Sequence, residues 1–351
     1  MKSNFKSLVE FSQEVTRREN AKKDWLVPTK ELYPYENNNE LRLLSYLSNE
    51  PVFDSPVNKH AQHQLASIYG IPIKYWESMK EIPHLRAKNL EAWFNEKQST
   101  RMIRELDGDI RAVVSNRFKP FDNFIVINAM MPVLSEYKSD MIINANVLTE
   151  KKMYLQIRFP SIETEIADGD KIQAGLIITN SEVGAGSVDI RESIWRVICS
   201  NGMIRESIFR KFHVGSRMSA NEEDYNIYKE DTLEHEMKAL TGKIRDITSY
   251  ALETQNFDKS IEPLRNAANR KFDDTIKTVQ NVTKHFNIPD SYQNAMNKYL
   301  YESNDNSQWD VANAITALAH DSDNPDKAYD FEVLGNDLVK FTDSQWEKLI
   351  N

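Results

Sequence analysis

The chain has 351 residues, 40% hydrophobic and 28% charged, with a formal net charge of −9. Its length exceeds one typical domain, and its low glycine and proline content argues against long disordered linkers or a low-complexity chain. A single cysteine, Cys199, excludes an internal disulfide framework and a multi-cysteine metal site, and nowhere do eighteen or more apolar residues run together; a cytoplasmic protein with no membrane span is expected.

Residues 1–100 read as an N-terminal helical segment packing on a core. Phe5, Leu8, Val9, Phe11 and Val15 fall near helical spacing; PTKELYPYENNN follows as irregular chain, and a second short helix is expected around Leu41–Leu47. Ser55-Pro56 caps a further helix, Gly70-Ile71-Pro72 breaks it, and Tyr75, Trp76 and Met79 begin the next. Two helices around a glycine turn invite a DNA-reading motif, yet KYWESMKEI mixes bulky apolar residues with acids and offers few side chains suited to base edges. A packing module is the better reading. His60 and His63 share a helix face, but two ligands do not make a metal site.

From Arg101 the periodicity changes to two-residue alternation, which predicts a β-rich core over residues 101–217 and a mainly antiparallel sheet over roughly Asp109–Val214. Arg111–Val114 reads as a strand, Asn116–Asn123 as a turn, and Phe124–Tyr137 as a helix despite Pro132. Met141–Leu148 and Met153–Phe159 form a hairpin across Thr149–Lys152, and strands Ile172–Thr179 and Ser187–Ile190 bracket TNSEVGAG. No connection between these strands has room for a crossover helix, hence the antiparallel expectation. The glycine turn lacks a P-loop lysine and leads into a strand, so a positive-φ hairpin turn at Gly184 or Gly186 is expected rather than a phosphate cradle. Cys199 and His213, with Asn201 or Asp189, invite a nucleophile pair; the apolar run around Cys199 favours a packed thiol.

Residues 218–351 read as an acidic helical region, with 25 Asp/Glu against 14 Lys/Arg, whereas residues 1–217 hold 28 against 30. Leu233, Met237, Leu240, Ile244 and Ile247 recur at spacings of three and four. Within Arg191–Arg217, six cations (Arg191, Arg196, Arg205, Arg210, Lys211, Arg217) face only Glu192 and Glu206, so a local positive field is expected. An acidic arm could occupy that patch in the absence of nucleic acid. The fold class is therefore α+β: a central antiparallel sheet flanked by N-terminal helices and a helical C-terminal third.

Three blocks carry a family resemblance: Ser115–Asn123 as S-x-R-[FY]-x-P-x-D-N, Gly175–Gly184 as G-L-x-[IV]-x-N-S-E-V-G, and Arg196–Met203 as R-x-x-C-x-N-G-M. With their surroundings, Ala112–Leu134 and Gly169–Arg217, they resemble the phage- and plasmid-borne domain-of-unknown-function family 932. The family is distantly similar to the phage single-strand annealing proteins that include Redβ and Erf. That resemblance implies a small antiparallel sheet on helices, assembly into rings or filaments, and single-stranded DNA in a basic groove.

The leading expectation is a sequence-tolerant binder of single-stranded DNA or RNA, of the annealing or recombination kind. Arg117, Lys119, Arg196, Arg205, Arg210 and Lys211 would contact phosphates, and Phe118 or Phe121 would stack on bases. The competing expectation is a phage-encoded protein that binds a host protein through its helical third. Enzymatic activity ranks behind both, no cofactor is expected, and a homo-oligomer is compatible with either.

Overall fold

The computed structural model describes residues 3–5, 7–47, 50–167, 169–197, 201–211, 230–253, 257, 261–303, 305–322 and 324–351. Strand β1 (Ser3–Asn4) precedes helix α1 (Leu8–Ala21), which starts where the Ser7 hydroxyl accepts the Glu10 amide and which turns Phe11 and Val15 inward. The next stretch departs from the helical expectation. Strands β2 (Lys23–Pro28), β3 (Leu32–Asn37), β4 (Glu40–Leu47) and β5 (Glu50–Pro56) run before the first packing helices. Leu41–Leu47 is thus a strand, and the reason is visible in its side chains. Leu41, Leu43 and Ser45 are buried while Arg42, Leu44 and Tyr46 face outward, a period of two. Asn38 and Asn39, at φ 50° and 64°, make the two-residue hairpin turn that joins β3 to β4.

Helices α2 (Lys59–Ile68), α3 (Ile73–Ser78) and α4 (Pro83–Glu96) then cover this sheet, strand β6 (Thr100–Leu106) pairs with β2, and β7 (Asp109–Ser115) pairs with β6. Val27, Leu32, Leu41, Leu43 and Phe53 share one core with Trp76, Leu90 and Ile103. The N-terminal segment is therefore a mixed unit in which strands supply much of the core. The buried ion pair of Arg86 with Glu36, at 2.6 Å, ties α4 to β3. Strand β7 belongs to a three-stranded sheet ordered β2-β6-β7, not to the central one, because it pairs with β6, whose other edge pairs with β2.

Helix α5 (Asn123–Glu136) leads to the large sheet: β8 (Ile142–Leu148), β9 (Met153–Ala167), β10 (Asp170–Asn180), β11 (Val188–Arg196) and β12 (Asn201–Lys211). Its order is β1-β8-β9-β10-β11-β12 and each neighbouring pair is antiparallel. The architecture is α+β with antiparallel sheets, as the alternation in the sequence indicates.

Seven helices follow among the described residues: α6 (Glu230–Ala251), α7 (Glu262–Asn269), α8 (Thr275–His285), α9 (Gln293–Ser303), α10 (Gln308–Ala317), α11 (Pro325–Val339) and α12 (Asp343–Ile350). They do not extend as a free arm. Val311, Ala312, Ala314 and Ile315 of α10 are fully buried and join Leu176, Ile178, Ile194 and Met203 of the sheet in one core. Close approach of α11 to α10 requires Gly335: a Cβ there would lie 2.4 Å from Thr316 Cγ2 and 2.9 Å from the Ala312 carbonyl oxygen. Among the described residues, no helix is long and apolar enough to cross a membrane.

Candidate functional site

The first two signature blocks meet in a buried polar network. Arg104 of β6, fully buried, donates to Asp122 at 2.7 and 2.9 Å, to Asp24 at 2.9 Å and to the Glu182 carbonyl oxygen at 2.6 Å. Lys22 also reaches Asp122, at 2.5 Å. Burial pushes the Asp122 carboxyl up, but Arg104 and then Lys22 outweigh it and hold the group well below the ordinary carboxylate range. Glu182 accepts the Asn123 amide at 2.9 Å and Arg111 at 2.5 Å, while the Asn180 side chain donates to the Phe121 carbonyl and to Asn123 Oδ1, both at 2.9 Å. Asp122-Asn123 and Asn180-Ser181-Glu182 are thus a brace between the two cores. Arg104 and Lys22 neutralise Asp122, and Arg111 neutralises Glu182.

A groove of about 470 Å3 opens beside this brace. Helix α2 contributes Gln64 and Ser67, β6 and β7 contribute Arg101, Val114 and Ser115, the glycine turn contributes Gly184 and Ser187, and β12 contributes Arg210. Gln64 sets its position by donating to the Val183 carbonyl at 2.8 Å and accepting the Val113 amide at 2.9 Å. Gly184 has φ +76°, as a tight turn at that position requires. Among the described residues the ionisable ones that line the groove are Arg101 and Arg210, and no carboxylate does. Arg101 rests its Nε on Ser99 at 3.1 Å and Arg210 on Ser187 at 3.2 Å, so serine hydroxyls fix both guanidiniums. A second groove, about 420 Å3, is different: Glu14, Arg17, Asp107, Arg111 and Glu182 line it and are already paired with one another.

The expected site residues divide between these environments. Phe118 and Arg210 line the first groove. Phe118 is 6% exposed, sits 5.5 Å under the Arg104 guanidinium and packs on Val114 and Val183; Phe121 is 3% exposed within the main core. Neither ring can stack on a base. Arg196 is buried as well, 2.8 Å from Asp170 and 3.5 Å from Asp310, with the Tyr299 hydroxyl at 3.2 Å. It joins the sheet to α9 and α10 and presents no charge to a phosphate. Arg205 lies 4.0 Å from Glu192, and Arg117 is half-buried in the turn before α5.

Lys119 and Lys211 converge on one carboxylate, Glu236 near the start of α6, at 2.6 and 3.9 Å. Hydrogen bonding from Lys119 is the main cause that holds the Glu236 carboxyl below its ordinary value. Arg101, Gln64 and Ser67, which the reading of the sequence passes over, complete the groove.

His60 and His63 have separate uses: His60 contacts the Val183 carbonyl at 3.1 Å, and His63 contacts Glu77 at 2.8 Å. Among the described residues there is no group of three His, Cys, Asp or Glu side chains placed to hold a metal. Cys199, His213 and Arg217 lie outside the described residues.

Comparison with known families gives one match: DUF932, a domain of unknown function, over residues 111–329. No curated protein and no solved structure matches the chain.

Proposed function

We propose, from the premise that the chain belongs to the DUF932 family, that it is a single-stranded nucleic-acid-binding protein that grips the phosphate backbone along the Arg101–Arg210 groove. The carrying observation is the charge of that groove. In a chain of net charge −9, a cleft lined by two arginines, serines and glycine backbone, with no carboxylate among the described residues, is a selective place for a polyanion. Phosphate contacts carry no base information, and the buried phenylalanines offer no stacking platform, so binding is sequence-tolerant.

Lys119 and Lys211 extend the cationic surface once Glu236 is displaced, which supports a reading in which α6 competes with the nucleic acid. An annealing or recombination role, of the kind the resemblance to phage proteins implies, would use the same surface.

Fluorescence anisotropy with a labelled mixed-sequence oligonucleotide tests this. With Arg101, Arg210, Lys119 and Lys211 engaged, log affinity should fall with log salt at a slope of about −3, from about −0.7 per contact. Replacing Arg101 and Arg210 by Ala should flatten that slope by about 1.4 and weaken unrelated sequences alike. Absence of binding at low salt, or affinity unchanged in the double variant, rejects the groove as the site.

A further inference from the structure

The outer face of the β3–β4–β5 meander shares no residue with the groove. Its inner face buries Leu41, Leu43 and Phe53, whereas the outer face leaves Tyr33 and Tyr46 at 47% and 41% exposure. The two rings meet edge to face at 5.9 Å, and Leu44, opposite Tyr33 in register, lies half-buried between the outer strands. Opposite Leu44 on β5 is Asp54, both of whose carboxylate oxygens accept the Tyr35 hydroxyl, at 2.6 and 2.8 Å. Among the described residues of this face Arg42 is the cation, and two carboxylates lie against it: Asp54 at 3.0 Å and Glu40 at 3.5 Å.

Paired exposed tyrosines on a regular sheet keep large apolar rings in water, which a monomer seldom does without a partner for them. The surplus of carboxylates decides which partner. A phosphate backbone would be repelled here, while a guanidinium or ammonium could lie over the tyrosine faces beside Glu40 and Asp54, which together exceed the single charge of Arg42. We propose that this face docks a cationic, arginine-bearing segment of a partner protein. The complementarity is of two kinds at once: ring faces for the planar guanidinium, and carboxylates within reach of its N–H groups.

The test uses the full-length chain and a fluorescent synthetic peptide of alternating arginine and glycine. Anisotropy should report saturable binding, and hydrogen exchange should show protection over residues 32–56. Tyr33→Ala with Tyr46→Ala leaves the net charge unchanged and should weaken binding roughly ten-fold, the loss of two cation–π contacts. Tyr33→Phe with Tyr46→Phe keeps the rings and should bind as the parent does; if the alanine pair unfolds, this pair still tests the face against Asp54→Asn, which should weaken binding. A lysine-for-arginine peptide should bind less tightly. Three results overturn the proposal: no peptide binding, equal affinity in the alanine pair, which means only bulk attraction to an acidic chain, or protection of residues 32–56 by an oligonucleotide instead of the peptide.

Discussion

Glu332 on α11 faces the large sheet with one hydrogen-bonding partner, the Gln156 amide at 3.4 Å. Its Oε1 is packed so closely on β12 that a Cβ at Gly202 would sit 3.1 Å away. Burial without a cation pushes its carboxyl up to about 8, and the Gln156 contact pulls back only slightly. The folded protein therefore holds a proton there that the unfolded chain, near its ordinary 4.5, gives up. This contribution to stability is whole below about pH 4.5 and is lost as pH rises to about 8, at roughly 1.4 kcal/mol per pH unit. Across the interval the limit is about 5 kcal/mol, and residual hydration of the partly exposed side chain brings it to about 2–3. Glu332→Gln keeps the shape and removes the titration. Urea melts of parent and variant from pH 5 to pH 9 should nearly coincide at the acid end and separate by about 2–3 kcal/mol in favour of the variant by pH 8. A gap that stays constant with pH refutes the burial argument.

Two further outcomes follow from the ion pairs. Arg104→Met leaves Asp24 and Asp122 without their buried partner and should destabilise the chain by roughly 3–5 kcal/mol in denaturant titration, with Lys22 offsetting part of the loss at Asp122. Glu236→Gln frees Lys119 and Lys211 from a half-exposed carboxylate and should raise oligonucleotide affinity roughly three- to five-fold at low salt, an effect that fades as salt is added.

Local pattern made part of the fold legible. The hairpin across Thr149–Lys152 appears as β8 and β9, the run Ile172–Thr179 lies inside β10, and the helical spacing from Leu233 to Ile247 lies inside α6. The meander was hidden for a different reason. Leu41, Leu43 and Leu44 fit a helix stripe as well as a strand, and only the Asn38-Asn39 turn, which needs positive φ twice, separates the two. The groove was hidden more deeply. Gln64, Arg101, Gly184 and Arg210 come from four separate parts of the chain, so no window of sequence holds them together. Nor does a count of cations show that Arg196 turns inward to Asp170 and Asp310 while Arg210, fourteen residues on, turns towards the groove.

The acidity of the C-terminal third also changes meaning once its helices are placed. A free arm carrying that excess of carboxylates would shield any cationic surface and suppress polyanion binding throughout. Instead α10 is buried in the shared core and α11 packs on the sheet, with Asp310 turned to Arg196 and Asp326 to Lys152 and Tyr154, so part of the acidity is internal to the fold. The contact that bears on the cationic surface is Glu236, a half-exposed residue of α6, whereas Ile244 and Ala251 anchor the helix in the core. Glu236 is held by two half-exposed ion pairs, each of which costs little to break and which a few phosphate contacts can replace.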